Sequence, residues 1–488
     1  MPSLKEDLKL KVPTTLVIFG VTGDLSRKKL LPAIFDLYLK GLLPDRFRVV
    51  GFSRRSLSSE EFKKFVSDVL SEKKDNQAKE ILKKFLEQLY YVSGSFDQLV
   101  DYTGLSEALE GYDDDWGVCS NKLLYLAVPP VMYENIFANL KKSGLARSCA
   151  LVNKIRGDSE DQMTHLSGWT RVLVEKPFGR DLKTAEKLEK KLSQTFKEDQ
   201  IFRIDHYLAK ETIQNILSFR FANSLFEPVW NNQYISKIEI RLFETGDIAG
   251  RGAFYDSVGV LRDVGQNHLL QMLAVVAMDR PTDLSCPAIR GQRAKLLGKL
   301  KLSKRQVKKR VILGQYAGYR SEPGVEKDSQ TATYFKADFT VSGSRWWGTE
   351  FVLESGKALK QNLAEIKIHF RTDNNLFSNK NLSLMPVNTV TFSIQPDEGI
   401  AIRFWAKKPG FKYELVPTDL AFKYGHSWAG EIIPDAYERL LHDALLGDQT
   451  LFATTEEVSL SWRFITTILE ESDQIPLIIY EPRTLPVD

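Results

Sequence analysis

Cysteine is scarce. Cys119, Cys149 and Cys286 are the only three in 488 residues. They are odd in number, widely scattered and without metal-ligand spacing, which argues against a disulfide framework or a zinc ribbon and favours a reducing compartment. Long apolar runs are also missing. The most apolar stretch, 269–278, is about half of what a membrane-spanning helix needs. The first residues, Met1 to Asp7, lack the apolar core of a signal peptide. No charge of one sign dominates, since 67 Lys and Arg face 63 Asp and Glu for a net charge of +4. No global field therefore draws nucleic acid or an anionic membrane, and any anion-binding surface must be local. What remains is ordinary for a globular enzyme, with 43% apolar and 27% charged residues. The expectation is a soluble, cytoplasmic protein, long enough for two large domains or three smaller ones.

Residues 14–19 form a short apolar, β-branched run ending at Gly20, as in a buried parallel strand. A helical pattern follows over 25–40, then a second strand over 48–53, helical periodicity over 59–91, and a third strand over 122–128. A helix over 131–142 and a strand over 171–175 complete the series. Strands alternating with helices predict a doubly wound parallel sheet. After residue 205 the texture changes. Apolar and polar residues alternate over 235–243 and again near 331–341, 349–354, 364–371 and 388–394, as in an antiparallel sheet with one covered face. The predicted organisation is a domain over 1–205 and an α+β domain over 206–488. The basic run Lys299 to Arg310 has few interleaved aromatics and is expected to be a solvated face.

Four clusters carry chemistry. Gly20-Val21-Thr22-Gly23-Asp24-Leu25-Ser26-Arg27 lies between the first strand and first helix. Its glycines are read either as a tight turn alone or as a pyrophosphate cradle at a helix N-terminus. The second strand ends in Arg54 and Arg55 with no acid beside them. Surface arginines would suffice to explain the pair, but with the glycine turn they favour the 2′-phosphate of NADP over the ribose of NAD. Arg203-Ile-Asp205-His206-Tyr207-Leu-Ala-Lys210 follows. If helical, it places His206 and Lys210 on one face suited to a phosphate ester. Last comes Arg251-Gly-Ala-Phe-Tyr-Asp256, then Arg262-Asp263-Val-Gly-Gln-Asn-His268. His268 is either a buried helix cap or a general base whose carboxylate partner is Asp205 or Asp263.

These segments occur in order with Glu175-Lys-Pro-Phe-Gly179, Gly356-Lys-Ala-Leu359 and Pro434-Asp-Ala-Tyr-Glu-Arg-Leu440. Together the motifs resemble the glucose-6-phosphate dehydrogenase family over nearly the whole chain. The resemblance implies a Rossmann-like NADP-binding domain, then an α+β domain with a large, mainly antiparallel sheet for substrate binding and oligomerisation. It also implies a homodimer or homotetramer, the oxidative entry to the pentose phosphate pathway, and no metal. By resemblance, His268 takes the proton from the sugar C1 hydroxyl and Asp205 orients it. His206, Tyr207 and Lys210 hold the sugar phosphate, Glu244 and Asp263 the sugar hydroxyls. Lys176, beside a cis Pro177, touches both substrate and coenzyme, and Lys357 adds a substrate contact. Gly20 to Arg27, Arg54 and Tyr133 bind the coenzyme. Three positions depart from the family: Ala209 and Ala253 replace glycine, and Asn362 replaces a basic residue of some members. Alternatives are a relative acting on another aldose phosphate, or a non-catalytic NADP-binding protein that would need no base.

Overall fold

The computed structural model describes residues 11–71, 76–148, 168–248, 250–372, 387–427 and 433–486. The first ten residues and Cys149 lie outside them. Two compact units emerge: Met1–Gly179 with Lys183–His206 and Pro434–Thr455, and Arg180–Leu182 with Tyr207–Ile433 and Glu456–Asp488.

The first unit is built on β1 (Thr14–Phe19), β2 (Phe47–Ser53), β3 (Leu89–Ser93), β4 (Asn121–Leu126), β5 (Thr170–Val174) and β6 (Ile201–Ile204). All six are parallel. Their order is β6-β5-β4-β1-β2-β3, and a late strand, β16 (Phe452–Ala453), pairs antiparallel with β6. Every residue of β1 and β4 is buried, because helices cover both faces of a parallel sheet. The strand order reverses between β1 and β4, which opens a crevice at the carboxyl ends of the strands. The helical periodicity over 59–91 resolves into helices Ser59–Leu70 and Asn76–Leu86, followed by β3, a strand the periodicity did not reveal.

The second unit holds β7 (Ile235–Phe243), β8 (Leu300–Lys301), β9 (Val311–Tyr316), β10 (Tyr334–Val341), β11 (Glu350–Gly356), β12 (Leu363–Phe370), β13 (Thr389–Gln395), β14 (Gly399–Lys407), β15 (Leu415–Lys423) and β17 (Leu477–Tyr480). Their order is β15-β14-β13-β12-β7-β11-β10-β9-β17, with β8 beside β10. Only β7 with β11 and β9 with β17 run parallel. Along β10 and β12 burial alternates from residue to residue, the signature of one covered face. A helical run over 261–277 supplies the cover, and from Leu269 to Ala277 it is buried on every side.

Two expectations need correction. Residues 206–210 form a turn, not a helix, and Lys210 is the residue before helix Glu211–Phe221, with extended backbone. Tyr207, Leu208 and Ala209 are all buried in succession, which no single helix face could arrange. Ala209 is therefore not acting through helix propensity. Its carbonyl accepts a hydrogen bond from Gln214 Nε2 at 3.1 Å. The second correction concerns cysteine: Cys119 is disulfide-bonded, while Cys286 is a free thiol.

Candidate functional site

In the first unit, the carboxyl ends of the parallel strands gather the residues expected to hold a coenzyme. Gly20 ends β1 with φ +80°, and a Cβ there would lie 2.5 Å from the Ala127 carbonyl oxygen. Only glycine fits such a turn. The Gly23 amide donates to the Gly20 carbonyl at 2.9 Å, and Ser26 Oγ donates to the same oxygen at 3.2 Å. The chain then enters a helix whose first turn, Ser26–Leu30, is a π-helix. Val21 is buried beneath the turn, whereas Asp24 and Arg27 face solvent. The Thr22 hydroxyl meets that of Ser53 at 3.0 Å, which ties the glycine turn to the end of β2. There the Tyr91 hydroxyl donates to the Arg55 carbonyl at 2.6 Å, while the Arg54 and Arg55 side chains are exposed. A backbone cradle closed to any Cβ, at the first strand-to-helix turn and the sheet's switch point, fits a dinucleotide pyrophosphate.

Beyond the switch point, Glu175 and Lys176 follow β5, and the Lys176–Pro177 peptide is cis. Tyr133 is buried and donates its hydroxyl to the Glu175 carbonyl at 2.9 Å. Tyr125 on β4 donates to the Glu175 carboxylate. Burial pushes that carboxyl up to about 7, although the Tyr125 bond and Lys176 pull the other way and Asp205 reinforces the rise. Asp205 and His206 follow β6, and the His206 ring stacks 6.4 Å from Tyr437 on helix Ala436–Leu446.

The second unit gathers another group. Lys357, 5% exposed, follows β11 and pairs with Glu244 after β7 and with Asp263 at 3.4 Å. The Glu244 amide donates to the Gly356 carbonyl at 3.0 Å, so the two strand ends hold this pair in register. Asp263 and His268 share the π-helix Leu261–Leu269. Its wider turn brings residues five apart onto one face, and π segments are frequent at functional sites. His268 is buried, with the Tyr207 ring 4.4 Å away. Gln395 Nε2 donates to the Tyr207 hydroxyl at 3.3 Å, and Lys210 lies 4.0 Å from Glu398. Asn362 accepts from the Thr245 amide at 2.8 Å and so fixes the loop after β7. Ala253 is exposed on the short helix Gly252–Asp256.

Sequence reasoning assigned no role to Glu175, Tyr125, Tyr437 or Tyr255. Glu175, Tyr437 and Tyr255 stood within segments the sequence singled out, Glu175 also as an acid directly after an apolar strand and before Lys-Pro.

A Rossmann-type dinucleotide unit joined to a large, mainly antiparallel sheet defines a nicotinamide-dependent dehydrogenase architecture. Family models for the glucose-6-phosphate dehydrogenase NAD-binding domain and C-terminal domain match residues 17–215 and 217–485. A glucose-6-phosphate 1-dehydrogenase of Chlamydia pneumoniae is 38% identical, covering 95% of this chain and 90% of that relative. One of Arabidopsis thaliana, named as cytoplasmic, is 36% identical over 96% of this chain and 88% of its own length. A solved glucose-6-phosphate dehydrogenase in complex with its substrate superposes with a TM-score of 0.86 at 34% identity, covering 96% of this chain and 94% of that one. The chain belongs to the glucose-6-phosphate dehydrogenase family.

Glu175 generates a testable pH dependence. A carboxyl with a folded pKa near 7 and an ordinary unfolded one binds more protons when folded, so stability falls as pH rises from about 4.5 to about 7. Glu175→Gln should remove up to about 3 kcal/mol of that fall. Urea unfolding of both proteins across this range checks it, and parallel pH profiles would contradict it.

Proposed function

We propose that the protein oxidises D-glucose 6-phosphate at C1 to 6-phospho-D-glucono-1,5-lactone with NADP. The observation that carries this reading is the placement of buried His268 on the same helix as Asp263, which itself meets the Lys357–Glu244 pair. The base and one sugar-hydroxyl ligand thus share one helix, to which Lys357, after β11, is tied by its ion pair with Asp263. Glu244, Asp263 and Lys357 hold sugar hydroxyls, while His206, Tyr207 and Lys210 receive the phosphate. His268 removes the C1 hydroxyl proton, and Asp205 serves as the carboxylate that sets its tautomer. Oxidised nicotinamide, when bound, accepts the hydride from C1. Gly20 to Arg27, Tyr133 and Lys176 bind the coenzyme, with Lys176 also reaching the substrate. Metal plays no part in this scheme.

NADP is preferred over NAD in this reading because the exposed guanidiniums at the end of β2 suit a 2′-phosphate. Domain roles follow the chain: coenzyme binding over 1–205, substrate binding and oligomerisation over 206–488. Assembly as a homodimer or homotetramer is supported by β15, an edge strand of nine residues, largely exposed. The setting is cytoplasmic and the pathway role is the oxidative entry to the pentose phosphates. Among the described residues no helix is long and apolar enough to cross a membrane.

His268→Ala should lower kcat by about 10²–10⁴-fold with a much smaller change in KM. Adding Asp205→Asn should cost far less than the product of the two single losses, because the pair acts as a unit. Near-normal turnover in folded His268→Ala protein would falsify the base assignment. Arg54→Ala should weaken NADP binding about 10- to 150-fold and leave NAD nearly unchanged, as read by coenzyme titration. Equal weakening of both coenzymes would remove Arg54 from the phosphate site. Light scattering should give two or four chain masses, and Leu420→Lys on the exposed face of β15 should reduce that number. A monomer in the parent protein would refute oligomerisation.

A further inference from the structure

Tyr255 lies beneath the Lys357–Glu244–Asp263 cluster. The Lys357 ammonium stands 5.7 Å from the centre of its ring. Exposure falls steadily through the group, from 40% for the Glu244 side chain and 27% for Asp263 to 7% for Lys357. Tyr255 itself, only 3% exposed, is its innermost member. The cluster thus runs from solvent at Glu244 inward to Tyr255. Around that inner end the packing is apolar, with Phe243, Ile248 and Leu359 in the same buried group.

The phenol is out of place in such packing. Its hydroxyl oxygen is buried without a hydrogen-bond partner among the described residues. Other buried tyrosines of this cluster fill that need: Tyr319 donates to Asp256 at 2.9 Å, Tyr334 to Glu354 at 2.7 Å and Tyr480 to the Lys357 carbonyl at 2.7 Å. An unsatisfied buried hydroxyl destabilises the folded chain, whereas phenylalanine would fill the same space without that cost. Burial, together with the neighbouring Asp263 and Glu244 charges, keeps the phenol fully protonated. It is therefore a permanent donor, with two carboxylates near enough to act on it and an ammonium over its ring, in a site read as holding sugar hydroxyls.

We propose that Tyr255 is a specificity-determining residue whose hydroxyl completes its hydrogen bonding on one hydroxyl of the bound sugar, alongside Glu244, Asp263 and Lys357. This deepens the functional reading above and rests on it for the identity of the sugar. A neutral donor at the inner end of the cluster discriminates by position. A sugar lacking the matching hydroxyl leaves the phenol unsatisfied, as it is in the free protein, and gains nothing from it.

The test is Tyr255→Phe, read in two ways that should move in opposite directions. In the free protein the urea midpoint should rise or hold, because an unpaired buried polar group is removed. With glucose 6-phosphate, KM should rise about 3- to 10-fold, the worth of one neutral hydrogen bond, with kcat within about twofold. Across deoxy-glucose 6-phosphates, the variant and the parent should become equivalent for one deoxy position only. An unchanged KM overturns the proposal, as does an equal loss for every deoxy sugar, which would mark a packing role. A lowered midpoint overturns it too, because the hydroxyl would then be satisfied in the free protein. Should the parent not oxidise glucose 6-phosphate, the functional reading fails by itself. Ligand-induced thermal shifts with a panel of aldose phosphates then read the Tyr255 effect directly, and equal shifts in parent and variant for every sugar overturn it.

Discussion

Arg203 holds the end of β6 in place, and the residues that follow it depend on that anchorage. Its side chain is fully buried. It donates to Glu189 at 2.9 and 2.7 Å, to Glu198 at 2.9 and 3.0 Å and to the Thr455 hydroxyl at 2.6 Å. Burial opposes its charge, yet the two carboxylates outweigh this and hold its pKa above the ordinary value. Removing one partner from such a network would strand a buried charge, at a cost of about 3–5 kcal/mol. Asp205 and His206 lie two and three residues further on. Arg203, the first residue of the Arg-Ile-Asp-His-Tyr motif, is thus the anchor of a segment whose later members are proposed to do chemistry.

The same logic recurs across both units. Strand ends place the polar residues, and close packing behind them leaves little freedom. Gly20 turns against the Ala127 carbonyl, Thr22 is tied to Ser53, and Lys357 meets Glu244 because the ends of β7 and β11 are hydrogen-bonded to each other. Preorganisation of this kind is what hydride and proton transfer need, since orientation supplies much of the rate. The polar residues that break the packing rules are Glu175 with its raised pKa, after a strand end, and Tyr255, whose hydroxyl has no partner among the described residues, at the inner end of the Lys357 cluster; conflict with stability is expected of functional groups.

Legibility in the sequence followed the strength of each local signal. β1, β2, β4 and β5 are continuous apolar runs between breakers, and β7, β10, β12 and β13 alternate cleanly; all were readable. β3, Leu-Tyr-Tyr-Val-Ser, was absorbed into a helical reading because charged helices precede it closely. β15 carries Pro417 and Asp419 and is largely exposed, so it shows no buried face to detect. β16 is two residues long and pairs with a strand some 250 positions earlier, which no local pattern encodes. The candidate site was legible where motifs were dense, around residues 20–27, 175–179, 203–210 and 262–268. The spacing of His206 and Lys210 misled, since polar residues four apart satisfy a helix and a turn equally. Tyr255 stood in the Arg251–Asp256 segment but was given no role: a tyrosine beside Phe254 reads as core, and only the three-dimensional arrangement shows a hydroxyl without a partner among the described residues.

The return of Pro434–Thr455 to the first unit has a consequence for synthesis. β6 leaves the ribosome with its outer edge open, because β16 and the Thr455 hydroxyl that satisfies Arg203 are encoded about 250 residues later. At about 5–20 residues per second, that interval lasts roughly 12–50 s. During it the nascent parallel sheet carries an uncovered edge and a guanidinium short of one partner, the state most open to mispairing with another chain. Completion of the coenzyme half therefore waits for the synthesis of Pro434–Thr455, and a message that stops before codon 434 yields a first unit that cannot be completed.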